Sequence, residues 1–486
     1  MDFIFNLLTL FSLGFCTTIC FIHLHLKKRV INAVQKRKNF LNSIDSKIIK
    51  NPLLLGFFHP YCNAGGGGER VLWTAIRSIQ EKYSHVMCVV YTGDTQVTKE
   101  DILKKIEARF SIQLNPNTIE FVFLNKRHWV EDVRYPRFTL LGQSLGSMVL
   151  GFEALEKLTP DLYFDTMGYA FTYLIAKRIF GCKVAAYVHY PTISSDMLKK
   201  VQERRPGYNN QSLITKSVIF STVKILYYRI FALLYSFAGS YAEIVMVNST
   251  WTKGHIDELW GVKSNIVYPP CDTAALSKLP LSGRQKGVIV SIAQFRPEKD
   301  HRLQLQALNK LLINHPEFRD DPENKVKLVL IGSCRNEGDQ KRIQELKKLC
   351  KNLNIENNVE FEINASFPVL VDWLSKAMIG LHTMWNEHFG IGIVEYMAAG
   401  TIPIAHNSGG PKMDIIIPYN NQITGFLAND ANSFANEIYK VLTLTDDEFR
   451  KIQNSAREHA KLHFSEFVFQ NSILELLNPL LSKNSD

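Results

Sequence analysis

Short, uninterrupted apolar runs alternate with amphipathic stretches along most of the chain. Runs at 53–58, 86–91, 119–123, 162–164, 184–188 and 244–247 are too short for core helices. Their order predicts buried parallel strands joined by crossover helices. After a polar segment at 273–286 the pattern resumes, with runs at 265–270 before it and at 287–293, 326–332, 359–362, 379–382 and 402–405 beyond. We therefore expect an α/β chain with Rossmann-like domains at 50–272 and 287–445, a hinge at 273–286, and terminal helices at 446–463 and 466–481.

Two apolar stretches do not fit that alternation. Residues 3–26 contain no charged side chain and exceed the roughly 20 residues needed to cross a bilayer. The stretch starts at Met1-Asp2 and ends at Lys27-Lys28-Arg29, which favours a retained single span over a cleaved signal peptide and puts the rest of the chain on the cytoplasmic side. The anchor and its basic flank are thus placed at 1–30, and the acceptor patterns at Asn210, Asn248 and Asn364 are expected to stay unglycosylated. Residues 213–239 are apolar and aromatic, interrupted by Lys216, Lys224 and Arg229. A helix lying in a membrane surface and a core helix account for them equally well.

Composition narrows the class. An apolar content of 46% and a charged content of 21% over 486 residues suit a globular chain of more than one domain. The net charge of +10 is modest, and much of it lies in Lys27, Lys28, Arg29, Lys36, Arg37 and Lys38. This points to an anionic membrane surface and away from nucleic acid. Eight cysteines without a C-x-x-C pair or zinc spacing predict free thiols in a reducing compartment.

The candidate chemistry sits where the predicted strands end, the place where open α/β sheets bind ligands. Gly65, Gly66, Gly67 and Gly68 separate the first strand from a helix opening at Glu69. Four glycines are entropically costly, and close approach of backbone to a ligand gives them a reason. His189 follows the fifth strand, and Asp165 the fourth, where it could also cap a helix. In the second half, Gln294, Arg296 and Lys299 follow the strand at 287–293, while Glu387, Phe389 and Gly390 precede a helix that carries Glu395. A helix start offers free N–H groups and partial positive charge to a phosphate. Eight residues of helix would hold the two carboxylates roughly 12 Å apart, farther than the roughly 5 to 9.5 Å of a glycosidase pair. They suit the two ends of a clamp on a nucleoside diphosphate sugar. The competing account is an amphipathic helix with solvated glutamates.

The E-x7-E spacing, with Phe389-Gly390 after the first Glu and a Met-Ala-Ala-Gly helix end, resembles the donor site of glycosyltransferase family 4. These are retaining enzymes of the GT-B fold, two Rossmann-like domains facing a cleft with C-terminal helices, here 446–486, crossing back. The strings HPYCNAGGGGERVLW from His59 and YVHYPTISSDM from Tyr187 are similar to those of the α-1,2-mannosyltransferases that extend dolichol-linked oligosaccharide at the endoplasmic reticulum. That resemblance implies GDP-mannose as donor, a dolichol-diphosphate-linked oligosaccharide as acceptor, two mannoses added in succession, membrane lipid and other mannosyltransferases of the pathway as partners, and no metal or other cofactor. It implies that Glu387 holds the sugar and Glu395 the ribose, with Phe389 and Gly390 beside the donor. Gly65 to Gly68 would meet the donor phosphates and the acceptor, His189 would lie near the donor sugar and leaving phosphate, and Lys299 would hold the diphosphate. Gln294 stands where the family has an Arg, which leaves Arg296 to supply that charge. A nucleotide-sugar epimerase or phosphorylase of the same fold, another lipid-acceptor transferase, and a non-catalytic membrane scaffold are the rival classes.

Overall fold

The computed structural model describes residues 2–47, 49–193 and 218–482. Asn210, residues 194–197 of the second string and residues 213–217 of the second apolar stretch lie outside the described residues. The chain forms two compact units. The first comprises Met1–Met246, His255–Asn265 and Leu474–Asp486, and the second Val247–Gly254 and Ile266–Ile473.

The first unit is built on strands β1 (Leu53–Phe58), β2 (Val86–Thr92), β3 (Ile119–Phe123), β4 (Leu162–Asp165), β5 (Lys183–Val188), β6 (Ile244–Val247) and β7 (Asn265–Ile266), in the order 3-2-1-4-5-6-7. β1 pairs in parallel with both β2 and β4, Phe58 lying opposite Tyr91 and Asp165. The second unit repeats the plan with β8 (Val288–Ile292), β9 (Lys327–Gly332), β10 (Val359–Ile363), β11 (Ile379–His382), β12 (Ile402–His406) and β13 (Phe426–Ala428), in the order 10-9-8-11-12-13. Both sheets reverse their winding beside their first strand, between β1 and β4 and between β8 and β11. That is where a doubly wound sheet opens a crevice at its carboxyl edge.

The strands are unbroken apolar runs because helices cover both faces. In the second sheet Leu328 and Leu330 enter one core cluster, while Val329 and Ile331 enter the other. Gly56 is required inside β1, since a Cβ there would lie 2.6 Å from the Tyr91 ring.

Packing draws the unit boundary elsewhere than the polar segment suggested. Cys271 N–H donates to Phe464 O at 3.0 Å, and Arg284 donates to Ala377 O at 3.1 Å, so residues 273–286 lie within the second unit. The helix Asp446–Phe464 stays with that unit too, and only Leu474–Asp486 joins the first, where Asn478 accepts from the Tyr83 hydroxyl at 3.0 Å. The expected strand at 265–270 shortens to Asn265–Ile266, ahead of Pro269 and Pro270, which have no N–H to donate.

Residues 3–26 belong to a helix that runs unbroken over Asp2–Ser43. Among the described residues no helix is long and apolar enough to cross a membrane. Its basic half is partly committed within the first unit. Arg29 pairs with Glu156, Arg37 with Asp161 at 2.6 Å, and Lys36 donates to Glu156 O, which leaves Lys27, Lys28 and Lys38 exposed. The helix Val218–Gly239 has one buried and one exposed apolar face. Tyr228, Phe231 and Tyr235 are buried, whereas Val223, Leu226, Ile230, Leu233 and Phe237 form an exposed apolar stripe. Among the described residues, Cys62, Cys88, Cys182, Cys271, Cys334 and Cys350 carry thiols outside any disulfide.

Burial also makes the second unit acid-sensitive. Desolvation pushes His301 and His459 down to about 4 and lowers His382 and His406 as well. The unfolded chain protonates these imidazoles near pH 6.5, so it binds more protons than the folded unit below that pH and stability falls as pH falls. We expect a loss on the order of a few kcal/mol between pH 7 and pH 5, read as a lower urea midpoint. A midpoint that does not move would contradict the burial.

Candidate functional site

In the first unit, the loop after β1 is organised by a buried pair. His59 is fully buried, and its Nδ1 lies 2.8 Å from Thr166 Oγ1, which joins the ends of β1 and β4 across the switch point. Its Nε2 faces Glu69 Oε1 at 3.6 Å, and Glu69 Oε2 accepts the Gly66 N–H at 2.5 Å. Burial raises the Glu69 pKa, but the His59 contact and the loop N–H groups outweigh it and hold the carboxyl below its ordinary range. Gly65 adopts φ +85°, a conformation that favours glycine, and the helix begins at Gly67, two residues before the expected start. A Cβ on Gly68 would sit 3.5 Å from His189 Nε2, so the glycine loop and His189 are neighbours. Asp165 has a structural task. It accepts from the Tyr173 hydroxyl at 2.6 Å and the Met167 N–H at 2.9 Å, and burial pushes it up to about 6.

The second unit holds the denser centre. Lys299 closes the short Pro297–Lys299 turn after β8, and Glu387 lies five residues beyond His382 at the end of β11. Lys299 Nζ lies 2.5 Å from Glu387 Oε2, and His382 Nε2 lies 3.0 Å from the same oxygen. Burial would raise the Glu387 pKa, yet the Lys299 ammonium and the His382 bond overcome it and hold the carboxyl far below its usual range. Glu387 is therefore a fixed anion that accepts hydrogen bonds and has no proton to give.

Its backbone is pinned as firmly. Gly410 N–H donates to Glu387 O at 2.8 Å, and Asn386 N–H to Ser408 Oγ at 2.8 Å. A Cβ on Gly409 would come within 2.3 Å of Glu387 O. Gly409 thus packs against the Glu387 carbonyl, and Gly410 against the Phe389 and His388 backbone. Gly390, at φ +112°, turns the chain into the helix Ile391–Ala399. A Cβ on Gly392 would lie 3.7 Å from Ile292 O, and Tyr396 Oη accepts the Ile292 N–H at 2.7 Å, which fastens that helix beside the end of β8.

Several expectations change on inspection. Only Glu395 is helical, because the helix starts four residues after Glu387, so the spacing expected for eight helical residues does not apply. Phe389 is a core residue, stacked on Tyr268 at 5.7 Å and edge-on to Phe464 at 5.5 Å. Arg296 pairs with Glu298 at 2.7 Å, and Gln294 is exposed on the same turn, its carbonyl accepting the Arg296 N–H. His382, His59 and Glu69 were not selected as site residues from the sequence. His382 had the same signal that marked His189, an imidazole at the carboxyl end of a buried strand.

Residues 52–260 match the family model described as ALG11 mannosyltransferase N-terminus, and residues 276–460 that of Glycosyl transferases group 1. A GDP-Man:Man(3)GlcNAc(2)-PP-Dol alpha-1,2-mannosyltransferase of Mus musculus is 50% identical over 92% of this chain and 91% of its own length. The Homo sapiens protein of the same name is 48% identical over 96% and 94%. Among solved structures, Anabaena HepE in complex with UDP and glucose superposes with a TM-score of 0.58 at 18% identity, covering 87% of this chain and 99% of that one. Sucrose-phosphate synthase from Thermosynechococcus elongatus gives 0.62 at 16%, covering 88% and 99%. At those identities the likeness speaks for the fold, two parallel-sheet α/β domains of the GT-B type.

The ion pair makes a stability prediction. Lys299→Met strands a carboxylate that has little access to water and should destabilise the second unit by about 2 kcal/mol, whereas Lys299→Met with Glu387→Gln should recover most of that loss. Denaturant unfolding of the four proteins of the cycle measures it. Additive effects would mean that the two groups do not interact.

Proposed function

The chain belongs to the family of GDP-Man:Man(3)GlcNAc(2)-PP-Dol alpha-1,2-mannosyltransferases, and we propose that it moves mannose from GDP-mannose onto a dolichol-diphosphate-linked oligosaccharide with retention of configuration. The observation that carries the mechanism is the Glu387 carboxylate, largely withdrawn from water, 2.5 Å from Lys299 Nζ and 3.0 Å from His382 Nε2. A hydrolase acid would need a raised pKa, whereas a donor site needs an acceptor for sugar hydroxyls next to a cation for phosphate.

In this mechanism the bond from the mannose anomeric carbon to the β-phosphate oxygen breaks as the acceptor hydroxyl attacks the same face. The departing phosphate oxygen takes that hydroxyl's proton, and no enzyme nucleophile forms. Lys299 and the N–H groups at the head of the helix Ile391–Ala399 would stabilise the charge developing on GDP. Glu387 would hold the sugar and Glu395 the ribose. His189 and the glycine loop, whose shape His59 and Glu69 maintain, are assigned to the leaving phosphate and acceptor. The scheme assigns charge neutralisation to side chains and backbone and calls for no metal.

The acceptor's polyprenol is confined to a bilayer, so the enzyme must work at one. The apolar segment 3–26 would anchor it as a single span in the endoplasmic reticulum membrane, with both units cytosolic. The stripe Val223, Leu226, Ile230, Leu233 and Phe237 would lie against the lipid. Extension by successive mannoses, from three to five, favours assembly with other mannosyltransferases of the pathway.

Purified protein, radiolabelled GDP-mannose and a dolichol-diphosphate-linked acceptor test this directly. We expect α-1,2-linked product, a fall of at least ~100-fold in Lys299→Ala and Glu387→Ala with folding intact, and a loss on vesicles but not in detergent for Leu226→Ser/Ile230→Ser/Leu233→Ser. Undiminished transfer by either single variant, or a β-linked product, would overturn the assignment.

A further inference from the structure

Glu387 is gripped on one oxygen. Lys299 Nζ and His382 Nε2 both meet Oε2, so the oxygen that a ligand hydroxyl would reach is Oε1. Where Oε1 points depends on the root of the side chain, which is the peptide between Asn386 and Glu387. Asn386 holds φ +51°, the left-handed region that side chains rarely adopt and that Asn tolerates better than most. Backbone persists in that region when its surroundings fix it there.

The turn after β12 supplies those surroundings. Ser408 Oγ accepts the Asn386 N–H at 2.8 Å, Gly410 N–H donates to Glu387 O at 2.8 Å, and a Cβ on Gly409 would lie 3.2 Å from Asn386 Cα. The turn is itself tied down, since Asn407 N–H donates to Ala428 O of β13 at 2.8 Å and Ser408 N–H to His406 O at 2.8 Å. His406, the last residue of β12, is 9% exposed, and its Nδ1 lies 2.8 Å from Ser408 Oγ. Burial lowers the His406 pKa against the pull of Asp300 and the Asn429 carbonyl, so the ring is neutral at pH 7 and one of its nitrogens is an acceptor. A serine hydroxyl that accepts from an N–H still has its own proton to give. That proton goes to His406 Nδ1, which assigns the ring's proton to Nε2. Giving it away polarises the hydroxyl and strengthens its hold on the Asn386 N–H.

We propose that His406 and Ser408 are positioning residues for recognition of the donor sugar. The series His406 Nδ1, Ser408 Oγ and Asn386 N–H fixes the peptide before Glu387, and so aims the carboxylate at a sugar hydroxyl. Both residues act through Glu387. The inference rests on the donor-site reading of Glu387 and adds that the affinity conferred by mannose is set from the end of β12, by two side chains outside the E-x7-E signature.

The test titrates GDP and GDP-mannose into the full-length protein in detergent, with no acceptor present, and takes the ratio of the two dissociation constants as the contribution of mannose. Ser408→Ala removes one small group and should lower that ratio at least ~fivefold, while GDP affinity stays within ~twofold. His406→Leu should do the same. His406→Asn, whose amide oxygen can stand in for Nδ1, should keep the ratio within ~twofold of wild type. A general loosening of the unit would weaken both ligands together. An unchanged ratio in Ser408→Ala, parallel losses of GDP and GDP-mannose, or His406→Asn failing as fully as His406→Leu would overturn the proposal and leave the reading of Glu387 standing. A wild type whose affinity owes nothing to mannose would overturn that reading, and the proposal with it.

Discussion

A carboxylate withdrawn from water keeps its charge only if fixed donors meet it. Glu387, with 12% of its side chain exposed, satisfies that condition through Lys299 and His382 on one oxygen. Lys299 and Glu387 come from the turns after β8 and β11 and His382 from the last position of β11, so the arrangement depends on the sheet reversing its winding between those strands. The surrounding contacts maintain that placement. The Thr383 hydroxyl lies 2.9 and 3.0 Å from the Lys299 and Asp300 carbonyls and accepts from Gln304 Nε2 at 3.0 Å, tying the two turns together.

The helix Ile391–Ala399 transmits the same constraint to its far end. Its last carbonyls and the neighbouring Leu374 and Ala377 carbonyls are met by half-buried guanidinium groups. Arg284 donates to Leu374, Ala377 and Ala399, Arg457 to Leu279 and Ala399 at 2.8 and 2.9 Å, and Gln453 to Gly400 at 2.6 Å. Burial, and then the charge of Arg457, push Arg284 down to about 10, but it remains a cation at neutral pH. Positive charge at a helix C-terminus is favourable. The helix is therefore held at its base by cations, while its head at Gly390 carries no side-chain cap.

The elements that were legible in the sequence are those decided by local pattern. β1, β3, β6 and β11 fall at the expected residues, because a parallel strand covered on both faces is an unbroken apolar run. Lys299, Glu387 and the proximity of the glycine loop to His189 could be read for a related reason, since strand ends in such sheets meet at one edge. β13 was missed, being only Phe426–Ala428. The excursion of Val247–Gly254 into the second unit was not read, because tertiary packing, and not composition, sets it. Phe389 shows the limit of motif reading. It sits inside the signature at Glu387, but its side chain is committed to Tyr268 and Phe464.

The central claim, that Lys299 receives a diphosphate while Glu387 receives the sugar attached to it, is tested most directly by comparing the binding of GDP and GDP-mannose, without turnover, in wild type, Lys299→Ala and Glu387→Gln. The account predicts that Lys299→Ala weakens both ligands alike. Glu387→Gln should retain GDP affinity and lose the additional affinity conferred by mannose. Unchanged GDP binding in Lys299→Ala, or an undiminished mannose contribution in Glu387→Gln, would contradict it.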